Sequence, residues 1–226
     1  MMPKREEYEH WIQQYLKPRF PELVKEFRAC LNGYERIKSN NRVDERSLNA
    51  ILRAAYSPRA PLLNTAIFFL GELSEHYPEV NKAIVAMSNN RHWYVRCHAI
   101  LSLGQETPND IVLAILKKGL QDRSASVRRV AAWQVQSLRV SKLIPDLEDQ
   151  LAIEPHPGTK HSLDFHLRLL RDGYVLEYRD GEPPFLWIPT SDGMRGCYVS
   201  QEDIDTKGIQ VILAEVRKNP YGKKVG

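Results

Sequence analysis

The chain is poor in the residues that mark several protein classes. Its three cysteines, Cys30, Cys97 and Cys197, lie far apart in 226 residues and form no C-x-x-C pair. An odd, scattered set argues against a disulfide framework or a zinc module and fits a reducing compartment. No apolar run approaches the roughly 18 residues of a membrane span. The opening MMPKREEYEHW has no apolar stretch of the kind a secretory leader carries. A cytoplasmic protein with no membrane partner is expected. A large excess of one charge is also lacking: 32 Lys and Arg stand against 28 Asp and Glu, a net +4. Dedicated nucleic-acid binders are usually more basic, so nucleic acid is not the expected partner. Nucleophile elbows, phosphate loops, dinucleotide-binding glycines and H-E-x-x-H are absent too. Neither an enzyme nor a cofactor is expected.

What the chain has is repetition. YVRCHAILSLG, residues 94–104, returns about one period later as SVRRVAAWQVQSL, residues 126–138. Anchored on alanine, the copies align at Ala66, Ala99 and Ala131, and 32 residues further on at Leu163. Four residues before the anchors stand Leu62, Val95, Val127 and Thr159; four after stand Leu70, Leu103, Val135 and Leu167. Positions i−4, i and i+4 share one face of an α-helix, so this is one amphipathic helix written four times, the last copy degraded. Another helical pattern precedes each copy, over 45–56, 78–88, 108–121 and 141–152, and short breakers such as SPRAP, SNNRH, QDRSA and IEPHPGT separate the two. Two-helix units at a period near 32 predict an α-solenoid whose repeats bury one another's faces.

LKKGLQDRSASVRRVAAWQVQSL, residues 116–138, resembles a HEAT repeat: an apolar first helix, Asp122 in the turn, then Val127, Arg128, Ala131 and Val135 in the second helix. The preceding copy keeps Val95, Arg96, Ala99 and Leu103 but has Asn90 at the Asp position. The resemblance covers 45–172 and implies a mainly α fold, a right-handed α-α solenoid of about four units at 45–76, 78–105, 108–139 and 141–172. Residues 1–44 are expected to cap it with helices. Residues 173–226 change period: aromatic and β-branched runs at 174–178, 185–188 and 197–199, separated by Asp180-Gly181 and Asp192-Gly193, predict a three-strand meander, and QEDIDTKGIQVILAEVRKNP one last helix.

The family is nearly silent on function. In such arrays the second helices usually line the groove, so the free strip of those helices is the candidate site. Phe68, Leu101, Trp133 and Phe165 lie two residues past the anchors, about 200° away. They read as a binding stripe or, on the reading preferred here, as the surface that stacks on the next repeat. The free edge is then the polar strip one before, three after and six after the anchors. From that strip His98, Ser102, Gln105, Gln134, Ser137 and His166 are candidate partner contacts, with Tyr178, Trp187 and Tyr198 of the meander as aromatic anchors. Arg96, Arg128 and Lys160 form a basic row three before the anchors; the resemblance implies that the arginines bond the turn of an adjoining repeat rather than phosphates.

The densest titratable cluster, with Glu154, His156, His161, Asp164 and His166, reads as structural. His161 and His166 are about 140° apart on a helix and poorly placed to share a metal, so no metal is expected. A non-catalytic protein-binding solenoid follows, with an inhibitor or immunity protein that occludes a toxin or enzyme as its concrete form and a general adaptor or scaffold as another. The enzymatic alternative is a HEAT-like alkylpurine DNA glycosylase, for which Trp93-Tyr94 is the nearest approach to the paired tryptophans; the nearby Asp is missing.

Overall fold

A computed structural model describes residues 5–190 and 193–218. The N-terminal segment runs as α1 (Arg5–Trp11), a π turn (Ile12–Leu16) and α2 (Lys17–Arg19), then turns through Phe20 and a short 3-10 segment (Pro21–Leu23) into α3 (Val24–Asn40). Pro18 and Pro21 explain the break, since neither supplies the backbone N–H that a continuous helix needs. Asn41, at φ 47°, ends α3 in the left-handed conformation that asparagine tolerates.

Four helix pairs follow: α4 (Glu45–Ala55) with α5 (Ala60–Ser74), α6 (Pro78–Ser88) with α7 (Trp93–Leu101), α8 (Asn109–Leu120) with α9 (Ala125–Ser137), and α10 (Ile144–Ile153) with α11 (Pro157–Asp172). The anchors Ala66, Ala99, Ala131 and Leu163 are all buried, as are their neighbours four residues either side. Small anchors let the helices of a pair approach. A methyl added to Gly119 of α8 would lie 3.0 Å from the Cβ of Ala131 on α9. The closest approach is at the cap, where a Cβ on Gly33 of α3 would stand 2.6 Å from the Ser47 carbonyl oxygen of α4. One hydrophobic core runs unbroken from Ile12 to Leu167, through the N-terminal helices and all four pairs.

The C-terminal part is an antiparallel sheet in the order β1 (Val175–Glu177), β2 (Phe185–Thr190), β3 (Gly193–Tyr198). Strand β3 begins at Gly193, earlier than the hydrophobic run suggests; of the second Asp-Gly pair, Asp192 lies outside the described residues. Trp187 pairs with Gly196 in register, and a side chain on Gly196 would collide with the Phe185 ring. The last helix is two: α12 (Gln201–Lys207) and α13 (Ile209–Lys218), divided at Gly208, whose φ of 79° no continuous helix accommodates. Leu186, Ile188, Val199, Ile212 and Leu213 form a second, separate core beneath the sheet.

Candidate functional site

The turns inside the four pairs share one device. Ser57, Asn90, Asp122 and Glu154 are spaced 33, 32 and 32 residues apart, and the side-chain oxygen of each accepts the backbone N–H two residues on, from Arg59, His92, Ser124 and His156. Those four acceptors' partners are the N-caps of α5, α7, α9 and α11. In two repeats the acceptor is a carboxylate, and there the arginine of the preceding second helix grips it. Arg96 Nε and Nη2 each donate to Asp122 at 2.6 Å. Arg128 Nε and Nη2 donate to Glu154 at 2.6 and 2.5 Å. Arg128 Nη1 also donates to the Asp122 carbonyl at 2.7 Å, so the two pairs join into one ladder across three repeats. The arginine row is therefore structural at Arg96 and Arg128, while Lys160 is exposed and takes no part.

The ladder is buried and charged. Hydrogen bonding from Arg128 holds the Glu154 carboxyl down at about 2, against burial that would raise it. Burial works to raise Asp122, and hydrogen bonds from Arg96 and the Ser124 amide outweigh it, leaving that carboxyl below its usual range. In the sequence Glu154 stood out only as a member of the titratable cluster; its 32-residue distance from Asp122 is the signal that could have marked it as the ladder's acid.

The polar strip expected to be free is not. His98, Ser102 and Gln134 are buried. His98 Nδ1 lies 2.7 Å from the Ala55 carbonyl, which only accepts, so Nδ1 carries the proton. Gln134 Nε2 donates to the Leu103 carbonyl at 2.7 Å, and the Ser102 hydroxyl donates back to His98 O at 2.8 Å. His166 is half-buried, with Nδ1 enclosed and unpartnered among the described residues, and burial pushes it down to about 4. Burial also lowers His98, partly opposed by its bond to Ala55. The array's geometry accounts for this burial. Positions one before, three after and six after the anchor lie at about −100°, −60° and −120°, on one flank of the helix. That flank meets the preceding unit: in the first repeat Phe69 stacks on Tyr34 at 4.1 Å, and Glu72 accepts from the Tyr34 hydroxyl at 2.7 Å. Only Gln105 and Ser137 of the strip are exposed.

The row expected to stack is the one that faces out. Phe68 is 51% and Trp133 41% exposed, and Leu101 and Phe165 are half-buried. Neighbouring second helices occupy both flanks and the first helices lie behind, so the direction opposite the anchor is the open one. The sheet continues this face. Phe165 meets Trp187 edge-on at 5.9 Å, Trp187 meets Phe185 at 4.9 Å, and Phe185 meets Tyr198 at 4.8 Å. Trp187 is half-buried, held by Nε1 donating to Glu177 at 2.9 Å. Tyr198 and Tyr178 are 51% and 65% exposed. The rings thus form a band from the second helices onto the meander.

Chemistry is sparse here. Among the described residues no three His, Cys, Asp or Glu side chains converge as metal ligands, and no helix is long and apolar enough to cross a membrane. Burial raises the Cys30 and Cys97 thiols to about 12 and about 11, far from thiolate reactivity. Trp93 is exposed, but Arg128 is committed to Glu154 and cannot also meet a DNA phosphate.

The pattern of the family described as HEAT repeats matches residues 45–139 and 80–163. The chain belongs to the HEAT-repeat family: an α-solenoid of the kind that serves as a scaffold for protein interaction, here carrying a C-terminal sheet. A search among curated proteins found no match.

Proposed function

We propose that this protein is a non-catalytic binding solenoid that seats one protein partner on the aromatic band of its second helices and meander. The observation that carries the reading is the exposure of Phe68 and Trp133 on the same repeat row, running into the ring contacts from Phe165 to Tyr198. Large aromatic side chains on a rigid scaffold supply the desolvated anchors that dominate protein–protein affinity. Enclosure of Arg96 and Arg128 in ion pairs removes the row best placed to hold a nucleic-acid backbone, which favours a protein partner over DNA. In its concrete form the protein is a cytoplasmic inhibitor or immunity protein that covers the working surface of a toxin or enzyme. A rigid face without chemistry of its own suits occlusion, and it suits an adaptor or scaffold equally.

A photo-crosslinking residue at Trp133 tests the reading in the native cytoplasm. The expected product is one stoichiometric protein adduct, absent when the residue is moved to exposed Lys82 on the first helix α6. Inhibition follows if the captured protein is toxic or active alone and silent in the complex. Equal crosslinking from both positions excludes the aromatic band as the contact.

A further inference from the structure

A second feature lies at the turns of the second and third repeats. A cleft of roughly 670 Å³ opens there between the end of α6, the end of α8 and the turn before α9. Five cationic side chains line it, Arg91, Arg96, Lys117, Lys118 and Arg123, against a single carboxylate, Asp122. That carboxylate is already spent on both Nε and Nη2 of Arg96. Lys117 is paired outside the cleft with Asp146, at 2.9 Å. Three cations remain, and among the described residues Arg91, Lys118 and Arg123 have no carboxylate within ion-pairing distance. They settle for neutral acceptors instead. Arg123 Nη2 donates to the Arg91 carbonyl at 3.1 Å, Lys118 Nζ to the Asn89 side chain, and Arg91 Nε to the His92 ring at 3.0 Å.

This crowding is unusual in its geometry. The Arg91 carbonyl receives both Arg123 Nη2 and Arg96 Nη1, each at 3.1 Å, so two guanidinium groups converge on one oxygen atom. The turn that gathers them also leads into α7 at Trp93, and Arg123 sits just ahead of α9 at Ala125, so two positive helix ends lie beside the cluster. Asp122 offsets one of these charges through Arg96, and the excess of like charges left on the turn is the arrangement that a bound anion relieves. Exposed arginine and lysine heads offering several donors to one cavity match phosphate oxygens.

The patch is local. Beside it α10 carries Asp146, paired with Lys117, Glu148, paired with Arg171, and Asp149, so the excess of cations does not continue onto α10. A compact ligand therefore fits and an extended nucleic acid does not. The cleft is larger than one tetrahedral anion requires, and its volume falls in the range of small-molecule sites. We propose that this turn cleft is a binding site for a diphosphate group, held by Arg91, Lys118 and Arg123. It is independent of the aromatic band.

Titration calorimetry of the full chain with inorganic pyrophosphate, at about 0.15 M salt where surface attraction is screened, tests it. Expected is one site per chain with Kd below about 1 mM, and much weaker binding of inorganic orthophosphate. Arg123→Gln and Lys118→Gln should each weaken pyrophosphate at least about fivefold while leaving the thermal melt unchanged, because both side chains are exposed. Lys82→Gln, an exposed lysine outside the cleft on α6, should leave binding unchanged. ADP in place of pyrophosphate distinguishes the source: equal affinity assigns the site to the diphosphate of a nucleotide-like ester, and exclusion assigns it to free pyrophosphate. Absence of pyrophosphate binding overturns the proposal. So does a loss in Lys82→Gln equal to that in Arg123→Gln, and so does an oligonucleotide that binds more tightly than pyrophosphate.

Discussion

Arg128 on α9 holds Glu154 in the turn before α11 through two hydrogen bonds of 2.6 and 2.5 Å, in a contact where the Glu154 side chain has no exposed surface. Gln150 Nε2 and the His156 amide complete the shell of that carboxylate, both at 3.1 Å. This pair fastens the fourth repeat to the third, and the Arg96–Asp122 pair fastens the third to the second.

Breaking one side of such a pair leaves a buried charge without its counterpart. Glu154→Gln is expected to cost about 3–5 kcal/mol in urea unfolding. The double change Arg128→Met with Glu154→Met should cost clearly less than the two single changes added together. Additive losses would show that the two residues are not coupled.

The pH dependence has two stages with one sign. His98 and His166 are held below their ordinary 6.5 by burial, so in acid the unfolded chain takes up protons before the folded one does. Their contribution is complete above about pH 6.5 and falls on acidification, for His166 down to its folded value of about 4, with a slope approaching about 1.4 kcal/mol per pH unit for each proton taken up. Glu154, held at about 2 rather than 4.5, adds a second loss between those values. Chemical denaturation from pH 8 to 3 should show both limbs, and His166→Phe should flatten only the upper one. An unchanged upper limb in that variant would assign it to another group.

Gly33 is replaceable only at a cost. The methyl of Gly33→Ala would stand 2.6 Å from backbone of α4, which cannot rotate aside, so a loss of about 2 kcal/mol or more is expected. Gly158→Ala at the start of α11, where the nearest atom is 3.5 Å away on a side chain, should be neutral or slightly stabilising. Thermal melts of the two variants provide the comparison.

Ala131→Asp places a charge where α9 meets α8 and α7, with no partner for it, and is expected to destabilise by several kcal/mol. A melting temperature close to the parent's would contradict the repeat register.

The two faces of the second helices should separate cleanly by mutation. Trp133→Ala removes a side chain that is 41% exposed; folding should change by no more than about 1–2 kcal/mol, while partner affinity falls at least about tenfold, or 1.4 kcal/mol. Gln134→Glu, one residue away, loses its 2.7 Å bond to the Leu103 carbonyl and buries a charge beside that oxygen, so it should unfold the array before any binding defect can be read. Stability measured by denaturation and affinity measured against the crosslinked partner distinguish these outcomes.

The helix pairs, their period and the buried anchor faces were legible in the amino-acid order, because hydrophobic spacing along a helix reports which side chains share a side. Val127, Ala131 and Val135 could hardly point anywhere but inward. The meander was legible in the same way, from its alternation and its glycine turns. Of the turn row, Asn90 and Asp122 were legible as equivalents through the family resemblance, whereas Ser57 and Glu154 were not, because the four different side chains share only an acceptor oxygen. What only the tertiary structure decided is the direction each flank of a second helix faces. Periodicity fixes angles between residues within one helix but says nothing of where the next helix stands. Hydropathy then misleads in both directions. Ser102 and Gln134 look like surface residues, yet they are buried because main-chain carbonyls satisfy their polar atoms. Phe68 and Trp133 look like core, yet they face outward because the helices on either side and behind leave that one direction uncovered.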